Sequence, residues 1–356
     1  MHNELFILIL GTLIFLLLGW GFRSLTREEW QIALAAPKAR VKANVWSGTN
    51  YTYYGVFQAI AFVISAALLC VMVSALDVPL FPMASLVLVG ALTVLCLSAA
   101  TIVARLVEKR KHTLTVGGAF FVGLLATPWL IAAINKISAS AFVTRPPIPV
   151  MPLLAAGAVA YSIGEGLGRL SCISFGCCYG KPLSSLHPVF QMLFHRHHFV
   201  FQGKTKKIAY EAGLDGTEVA PIQAITSIFL ILTGLAGIYL FLNSSYSSAF
   251  LLAVISTQTW RFASETLRAD YRGMGRISAY QIMAVIAILY AFWLWAVVPA
   301  DAGIRSHVIV GIRRLWDPAS ILILQATGVI VFLYTGRSRV TGSSLSFHVR
   351  DDMVKN

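Results

Sequence analysis

The sequence is poor in charged residues. Only 12% of its 356 residues are charged, against about a quarter in a typical soluble domain. Hydrophobic residues make up 57%, and the mean hydropathy is +0.75. Because so little charge cannot cover a water-exposed surface, the composition excludes an ordinary soluble enzyme and predicts an integral membrane protein.

Acidic residues are scarcer still. The chain has 15 Asp and Glu against 28 Lys and Arg, which leaves a formal net charge of +13. On a membrane protein such an excess orients the chain and attracts anionic phospholipid. We therefore expect an anionic lipid as partner and no nucleic acid.

Cysteine is also too scarce for a secreted disulfide framework, with five in the chain. Two of them, Cys70 and Cys96, lie inside apolar runs, where a thiol behaves as a small hydrophobe. The first apolar stretch, LFILILGTLIFLLLGW, lacks a basic leader and a small-residue cleavage site. It predicts a retained helix and not a removed signal.

Long apolar runs dominate the chain. They lie at about 4–20, 55–76, 81–104, 114–134, 150–167, 221–242, 248–262, 279–298 and 318–335, each near the ~20 residues that cross a bilayer. These runs predict an all-α polytopic integral membrane protein with seven to nine transmembrane helices. The expected parts are residues 1–113 (N-terminal helices and basic loops), 114–298 (a membrane core with a small extramembrane lobe at 181–220) and 299–356 (a C-terminal helix and basic tail).

Most basic residues fall in the alternate polar segments. These are 21–54, 105–113, 168–220, 261–278 and 336–356, which nine crossings would place on one face. The positive-inside rule then predicts that this face is cytoplasmic, with the N-terminus outside and the C-terminus inside.

The segment GRLSCISFGCCYGKP, at 168–182, combines an arginine, three cysteines and several turn-forming residues. Arg169 follows glycines that would let a lipid head group approach. Cys177 and Cys178 are possible reactive thiols, with a thiolate favoured by nearby positive charge. A structural turn is the simpler interpretation. The Cys-x4-Cys-Cys spacing is not that of a zinc knuckle, so we expect no metal.

The segment TWRFASETLRADYRG, at 259–273, predicts a charged stripe on one helix face. At 100° per residue that stripe holds Arg261, Glu265, Arg268 and Arg272. A charge at the membrane boundary should face the protein interior or a wet cavity. The stripe could join helices through an Arg–Glu pair, or its guanidinium groups could bind a phosphodiester in bidentate geometry.

Two weaker motifs occur at predicted helix starts. TVGGAFFVG contains Gly117 and Gly118, which suit either close helix packing or a lipid phosphate at the backbone amides. APIQ contains Gln223, a polar side chain at membrane depth that could bond a neighbouring helix or a ligand.

Taken together, the order of a Gly-Gly helix, a glycine-rich turn with arginine, P-x-Q and R-x3-E resembles the prolipoprotein diacylglyceryl transferase family. The resemblance covers roughly residues 114–298, and GRLSCISFGCCYG is its most specific element. It implies a multi-pass enzyme of the bacterial inner membrane that needs no cofactor. Such an enzyme moves a diacylglyceryl group from phosphatidylglycerol to a lipoprotein cysteine thiol and releases glycerol phosphate.

The resemblance also implies roles for particular residues. Arg169 matches the family's signature arginine, Arg261 and Glu265 match its later arginine and glutamate, and Gly117 and Gly118 match glycines that follow a histidine. We therefore predict Arg169, Arg261 and Glu265 as catalytic, and Gly117, Gly118, Gln223, Arg268 and Arg272 as lipid-binding.

Several family positions are changed in this chain. Val116 and Ala220 stand where the family has histidines, with His112 the nearest alternative to the first. Cys172 and Cys177 replace an asparagine and a glutamate, and Thr257 replaces a tyrosine. The chain could therefore be a lipid-binding relative that has lost catalysis.

The predicted orientation differs from that of the family. The family's site opens outward, whereas the charge distribution puts the corresponding loops in the cytoplasm. Either outward basic loops bind anionic lipid, or the acceptor is cytoplasmic.

Overall fold

A computed structural model describes residues 2–78, 82–107, 115–141, 147–270, 277–299 and 303–354. The helices are α1 His2–Ser24, α2 Tyr53–Ala75, α3 Pro82–Val107, α4 Val116–Ala141, α5 Val150–Phe175, α6 Pro188–Phe194, α7 Lys207–Ala212, α8 Ile222–Leu242, α9 Tyr246–Ser264, α10 Ala279–Val297, α11 Val308–Leu315, α12 Pro318–Gly336 and α13 Asp351–Val354. Within these ranges, eight helices are long and apolar enough to cross a membrane: α1, α2, α3, α4, α5, α8, α10 and α12. The predicted polytopic helical membrane fold is confirmed.

The ninth predicted crossing, α9, is too polar to count by hydropathy. Its path shows that it nevertheless runs the length of the bundle. The Ala220 amide, just before α8, donates to the Lys181 carbonyl, and the Lys181 amide donates to the carbonyl of Leu267, just after α9. Both ends of the α8–α9 hairpin therefore lie on one face, and α9 crosses back through the bundle. Its packing against α5, α8 and α10 shields its polar residues from lipid.

Helix α5 is the centre of the bundle, with most of its residues buried. It packs against α2, α8 and α9, and small residues set the close approach. A Cβ at Gly234 of α8 would lie 2.4 Å from the Ile163 side chain, and one at Gly166 of α5 would lie 2.8 Å from Ile231. A helix that is apolar all round, as α5 is before Tyr161, belongs in such an interior position.

A small sheet, which the sequence analysis did not predict, covers one face of the bundle. Strands β1 Ile32–Lys42, β2 Val45–Thr52 and β5 Arg337–Ser346 pair antiparallel in the order β1-β2-β5. The strand after α12 thus joins the hairpin between α1 and α2. Register shifts interrupt the pairing of these strands. The sequence therefore lacks the regular polar–apolar alternation that identifies a strand.

The region predicted as a lobe, 181–220, packs on the same face. It contains α6, α7 and the two short paired strands β3 Phe199–Val200 and β4 Glu218–Val219. Lys206, fully buried, donates from Nζ to the carbonyls of Leu25 (3.1 Å) and Ser174 (2.6 Å). Burial lowers the pKa of Lys206 to about 8, against an opposing effect of Glu28. This lysine joins the lobe to the ends of α1 and α5.

Candidate functional site

One face of α5 carries three polar side chains at successive helical turns. Tyr161, Glu165 and Arg169 are spaced i, i+4, i+8, so they lie one above another. The Tyr161 hydroxyl and Arg169 Nη2 both donate hydrogen bonds to the Glu165 carboxylate. Tyr161 is held by stacking on Phe120 of α4, with ring centroids 4.0 Å apart.

Arg261 of α9 reaches the same carboxylate from a second helix. Its Nη2 donates to both Glu165 oxygens at 2.7 Å and to the Tyr161 hydroxyl at 2.6 Å. Arg169 and Arg261 are each 15% exposed at the side chain, and Glu165 is 6% exposed. Arg169 and Arg261, two of the residues predicted as catalytic, therefore meet, and the anion between them is the chain's own Glu165. Their catalytic role stays a prediction.

This arrangement leaves positive charge and donors in excess. Two guanidinium groups and one carboxylate carry a net charge of +1, and the Nε–H groups of Arg169 and Arg261 are buried without a hydrogen-bond partner among the described residues. A buried unpaired charge or donor is costly, so a site of this kind attracts an anion with free acceptor oxygens.

Gly117 supports the position of Arg261. A Cβ at Gly117 would lie 2.2 Å from Arg261 Nη1, so any larger residue would displace the guanidinium from its present position. Gly118 instead faces Val103 of α3, whose Cβ would be 2.8 Å from an added Cβ. One glycine of the pair thus borders the charged cluster, and the other serves helix packing.

The glycine-rich turn after α5 is held on several sides. Gly176 ends α5 with a left-handed backbone (φ 69°), and Gln223 Nε2 donates to the Cys177 carbonyl at 3.0 Å. Gly180 lies so close to Ala220 that a Cβ would approach its carbonyl oxygen to 2.3 Å. On the far side, the Ala269 amide donates to the Tyr179 carbonyl.

Three thiols converge in this turn. The Sγ atoms of Cys172, Cys177 and Cys178 all lie within 4.8 Å of one another. Hydrogen bonds with Cys172 and Cys178, and then burial, raise the pKa of the Cys177 thiol. This direction works against a thiolate at neutral pH, and the reactivity of Cys177 and Cys178 stays a prediction.

The predicted stripe on a single helix is wrong. Helix α9 ends at Ser264, Glu265 begins a short 3₁₀ turn, and Arg268 has extended backbone (ψ 149°). Arg268 forms a bidentate pair with Asp270 at 2.8 Å, with both side chains buried. Arg272 lies outside the described residues. The roles predicted for Glu265, Arg268 and Gln223 remain predictions.

Glu165 and Tyr161, the two residues that bind Arg261, were not among the predicted site residues. A signal was present, because Tyr-x3-Glu-x3-Arg places three polar groups on one face of an otherwise apolar helix. The carboxylate partner of Arg261 was instead expected at Glu265, four residues away along the chain.

The positions of the family's histidines carry no polar side chain. Val116 is 46% exposed at the start of α4, and Ala220 is buried against Gly180. The hydroxyl of Thr257, which replaces a tyrosine, donates to the Val254 carbonyl of its own helix. His112, the alternative to the first histidine, lies outside the described residues.

A family model described as prolipoprotein diacylglyceryl transferase matches residues 43–297. The match includes α2 to α10, and therefore the arginine–glutamate cluster and the cysteine turn. Helices α1, α11 and α12 and strand β5 lie outside it. No curated protein matches the chain significantly.

Proposed function

Because the chain belongs to the prolipoprotein diacylglyceryl transferase family, we propose that it is an active transferase. It takes a diacylglyceryl group from phosphatidylglycerol and passes it to a cysteine thiol of a lipoprotein precursor. The observation that supports this most is the convergence of Arg169 and Arg261 on one buried carboxylate, with an unpaired Nε–H on each guanidinium.

The depth of this cluster suits a lipid head group. Arg169 lies six residues before the end of α5, or about 9 Å along the axis, and Arg261 lies three residues before the end of α9. Gly117 is the second residue of α4. All three therefore lie near helix ends on one face, where phospholipid phosphates are found.

The charge of the cluster suits a phosphodiester monoanion. Phosphatidylglycerol carries one negative charge, and the cluster has a net charge of +1. The free donors of Arg169 and Arg261 would bind its phosphate oxygens in the geometry that guanidinium groups favour. Glu165 would keep the two arginines parted and oriented while the lipid is absent.

The reaction follows from this binding. The acceptor sulfur attacks the glyceryl carbon next to the phosphate oxygen, a C–S bond forms, and the C–O bond breaks. Glycerol phosphate leaves with the electron pair, and the thiol proton passes to solvent or to the leaving phosphate. Because negative charge grows on the phosphate, preorganised guanidinium groups lower the barrier.

A transfer assay tests the proposal. Purified full-length chain in mixed micelles would be given phosphatidylglycerol labelled in its acyl chains and a prolipoprotein-derived cysteine peptide. We expect labelled peptide and released glycerol phosphate, and about 100-fold slower transfer for Arg169→Lys and Arg261→Lys, which lose the bidentate geometry. Arg27→Lys, at an exposed position on the same face, should transfer at the normal rate.

The same assay compares the two glutamates. Glu165→Gln should slow transfer strongly because it removes the charge that orients both arginines. Glu265→Gln should slow transfer more than Glu165→Gln only if Glu265 has the catalytic role that its match to the family's glutamate implies. Absence of product from the unaltered chain, with peptide and lipid acceptors alike, would refute the proposal.

A second candidate function is lipid binding without turnover. It is favoured by the apolar side chains at Val116 and Ala220, where the family has histidines. In that case phosphatidylglycerol would be retained on purification, Arg169→Ala would lose it, and no product would form.

A further inference from the structure

The cysteine turn brings together three soft metal ligands that the sequence keeps apart. Cys172 lies in the last turn of α5, and the chain reverses at Gly176 before Cys177 and Cys178. Cys178 has a left-handed backbone (φ 55°), which is unusual for a residue other than glycine. In this turn the three sulfurs lie within 4.8 Å of one another.

The surroundings hold this arrangement in place. The Cys177 amide donates to the Cys172 carbonyl at 3.0 Å, and Gln223 Nε2 binds the Cys177 carbonyl. The Ile208 amide of the lobe donates to the Gly176 carbonyl at 3.0 Å. A strained residue persists only where its environment determines it, and such residues concentrate at functional sites.

The spacing of the sulfurs is close to that of a metal–thiolate centre. Zinc–sulfur bonds of about 2.3 Å place the sulfurs of a tetrahedral site about 3.8 Å apart. The three sulfurs lie within 4.8 Å of one another, so they need to move only slightly closer to bind one metal ion. Cys177 is buried, whereas Cys172 and Cys178 are only partly buried, which leaves one side open to a fourth ligand.

The local charge also suits such a centre. Three thiolates and one divalent cation carry a net charge of −1. The Arg169 guanidinium lies near enough to interact with Cys172 and Cys178, and that of Arg268 with Cys178. Arg268 is paired with Asp270 and Arg169 with Glu165, so each guanidinium supplies part of the balancing charge.

We propose that Cys172, Cys177 and Cys178 bind one thiophilic divalent cation of the zinc class and leave its fourth position to the acceptor thiol. Binding releases three thiol protons to solvent, because the metal deprotonates its thiol ligands. The role of the fourth position rests on the proposed transferase function. There the acceptor thiol would lose its proton to solvent, bind the metal as a thiolate, and attack the glyceryl carbon as described above. The centre would thus replace a general base.

The first experiment measures metal binding without any assay of transfer. The full-length chain, with a purification tag that contains no histidine, would be purified in detergent. Its zinc content would then be measured by mass spectrometry. Cobalt-loaded protein would be examined for thiolate-to-cobalt absorption. We expect on the order of one metal ion per chain, and at least about tenfold less in Cys172→Ser, Cys177→Ser and Cys178→Ser. Cys70→Ser and Cys96→Ser, in α2 and α3, should retain the metal.

Because a serine variant could misfold, a second measurement uses the unaltered chain. Zinc should protect three thiols from alkylation, and a chelator should restore their reactivity. The metal site is refuted if zinc, cobalt and cadmium each fail to bind the unaltered chain, or if two of these cysteines are found joined as a disulfide in the protein as isolated.

The transfer assay then tests separately whether the metal activates the acceptor thiol at its fourth ligand position. Chelation should slow transfer at least about tenfold, and zinc should restore it. Equal rates with and without metal would refute the activating role and leave the transferase function standing. A metal-loaded chain that forms no product with any acceptor would refute the transferase function and leave the metal site standing.

Discussion

At the residue scale, the site depends on one carboxylate that serves two arginines. Glu165 is bound by Arg169 from its own helix and by Arg261, 96 residues away. An exposed ion pair contributes little, but a buried one whose partner is removed leaves an uncompensated charge. The free energy of this cluster therefore depends on all three charges together.

Gly117→Ala tests how closely Arg261 is positioned. The new Cβ would lie 2.2 Å from Arg261 Nη1, so the guanidinium must move by an ångström or more. We expect transfer to slow about 100-fold, while the helix itself gains stability from alanine. The measurement is kcat alongside the thermal midpoint in detergent.

Gly157→Ala is the matched control, because a Cβ there meets nothing within 4 Å. It should leave kcat unchanged. Equal kcat values for both variants would show that Arg261 need not occupy its present position.

At the element scale, the polar helix α9 and the lobe complete the site. α9 lies against α5, α8 and α10 and brings Arg261 beside Glu165. The lobe is joined to the ends of α1 and α5 by Lys206. These elements are too polar to enter the bilayer alone, so their position depends on contacts with the apolar helices.

The Lys206 link makes stability depend on pH. Burial lowers the pKa from 10.5 to about 8, so between these values the unfolded chain holds a proton that the folded chain has lost. Stability should therefore rise with pH from about 8 to 10.5, by up to about 3 kcal/mol. The neutral amine keeps two donors for the Leu25 and Ser174 carbonyls.

The measurement is thermal unfolding in detergent at pH 7 and pH 10, for the unaltered chain and for Lys206→Met. The variant should be less stable at both values, because it leaves two carbonyls without a donor. It should also lack the rise with pH. Identical pH dependence in the two proteins would contradict a buried, perturbed lysine.

At the scale of the whole molecule, three of the basic segments, 21–54, 168–220 and the described part of 336–356, share one face. The sheet joins residues 32–52 to 337–346, and the lobe bonds to the end of α1. The arginine–glutamate cluster lies toward the same face, since Arg169 and Arg261 are near the helix ends there. Lipid attraction by the net charge of +13 and lipid binding at the site would therefore act together.

The helix path predicts the sidedness of the chain. Counting α9, nine helices of the described residues traverse the bundle, so a tag ahead of residue 2 and a tag after residue 354 should lie on opposite membrane sides. A tag at residues 43–44, in the β1–β2 turn, should lie on the same side as the second. Protease protection in oriented vesicles measures this, and two terminal tags on one side would contradict a traversing α9.

The sequence by itself determined the membrane class, the helical fold and the family, and it singled out Arg169 and Arg261, whose roles stay predictions. Long apolar runs and the order of short motifs are local properties, so they can be read without a structure. The sheet was missed because its strands lack regular alternation, and the end of α9 was missed because helix periodicity was extended through Glu265.

Only the tertiary structure decided which groups meet. Helix packing placed Arg261 on Glu165 and not on Glu265, and a left-handed turn at Cys178 gathered three thiols with an unfavourable spacing. The physical reason is that charge balance depends on distances between elements far apart in the chain, which are set by the packing of the whole bundle.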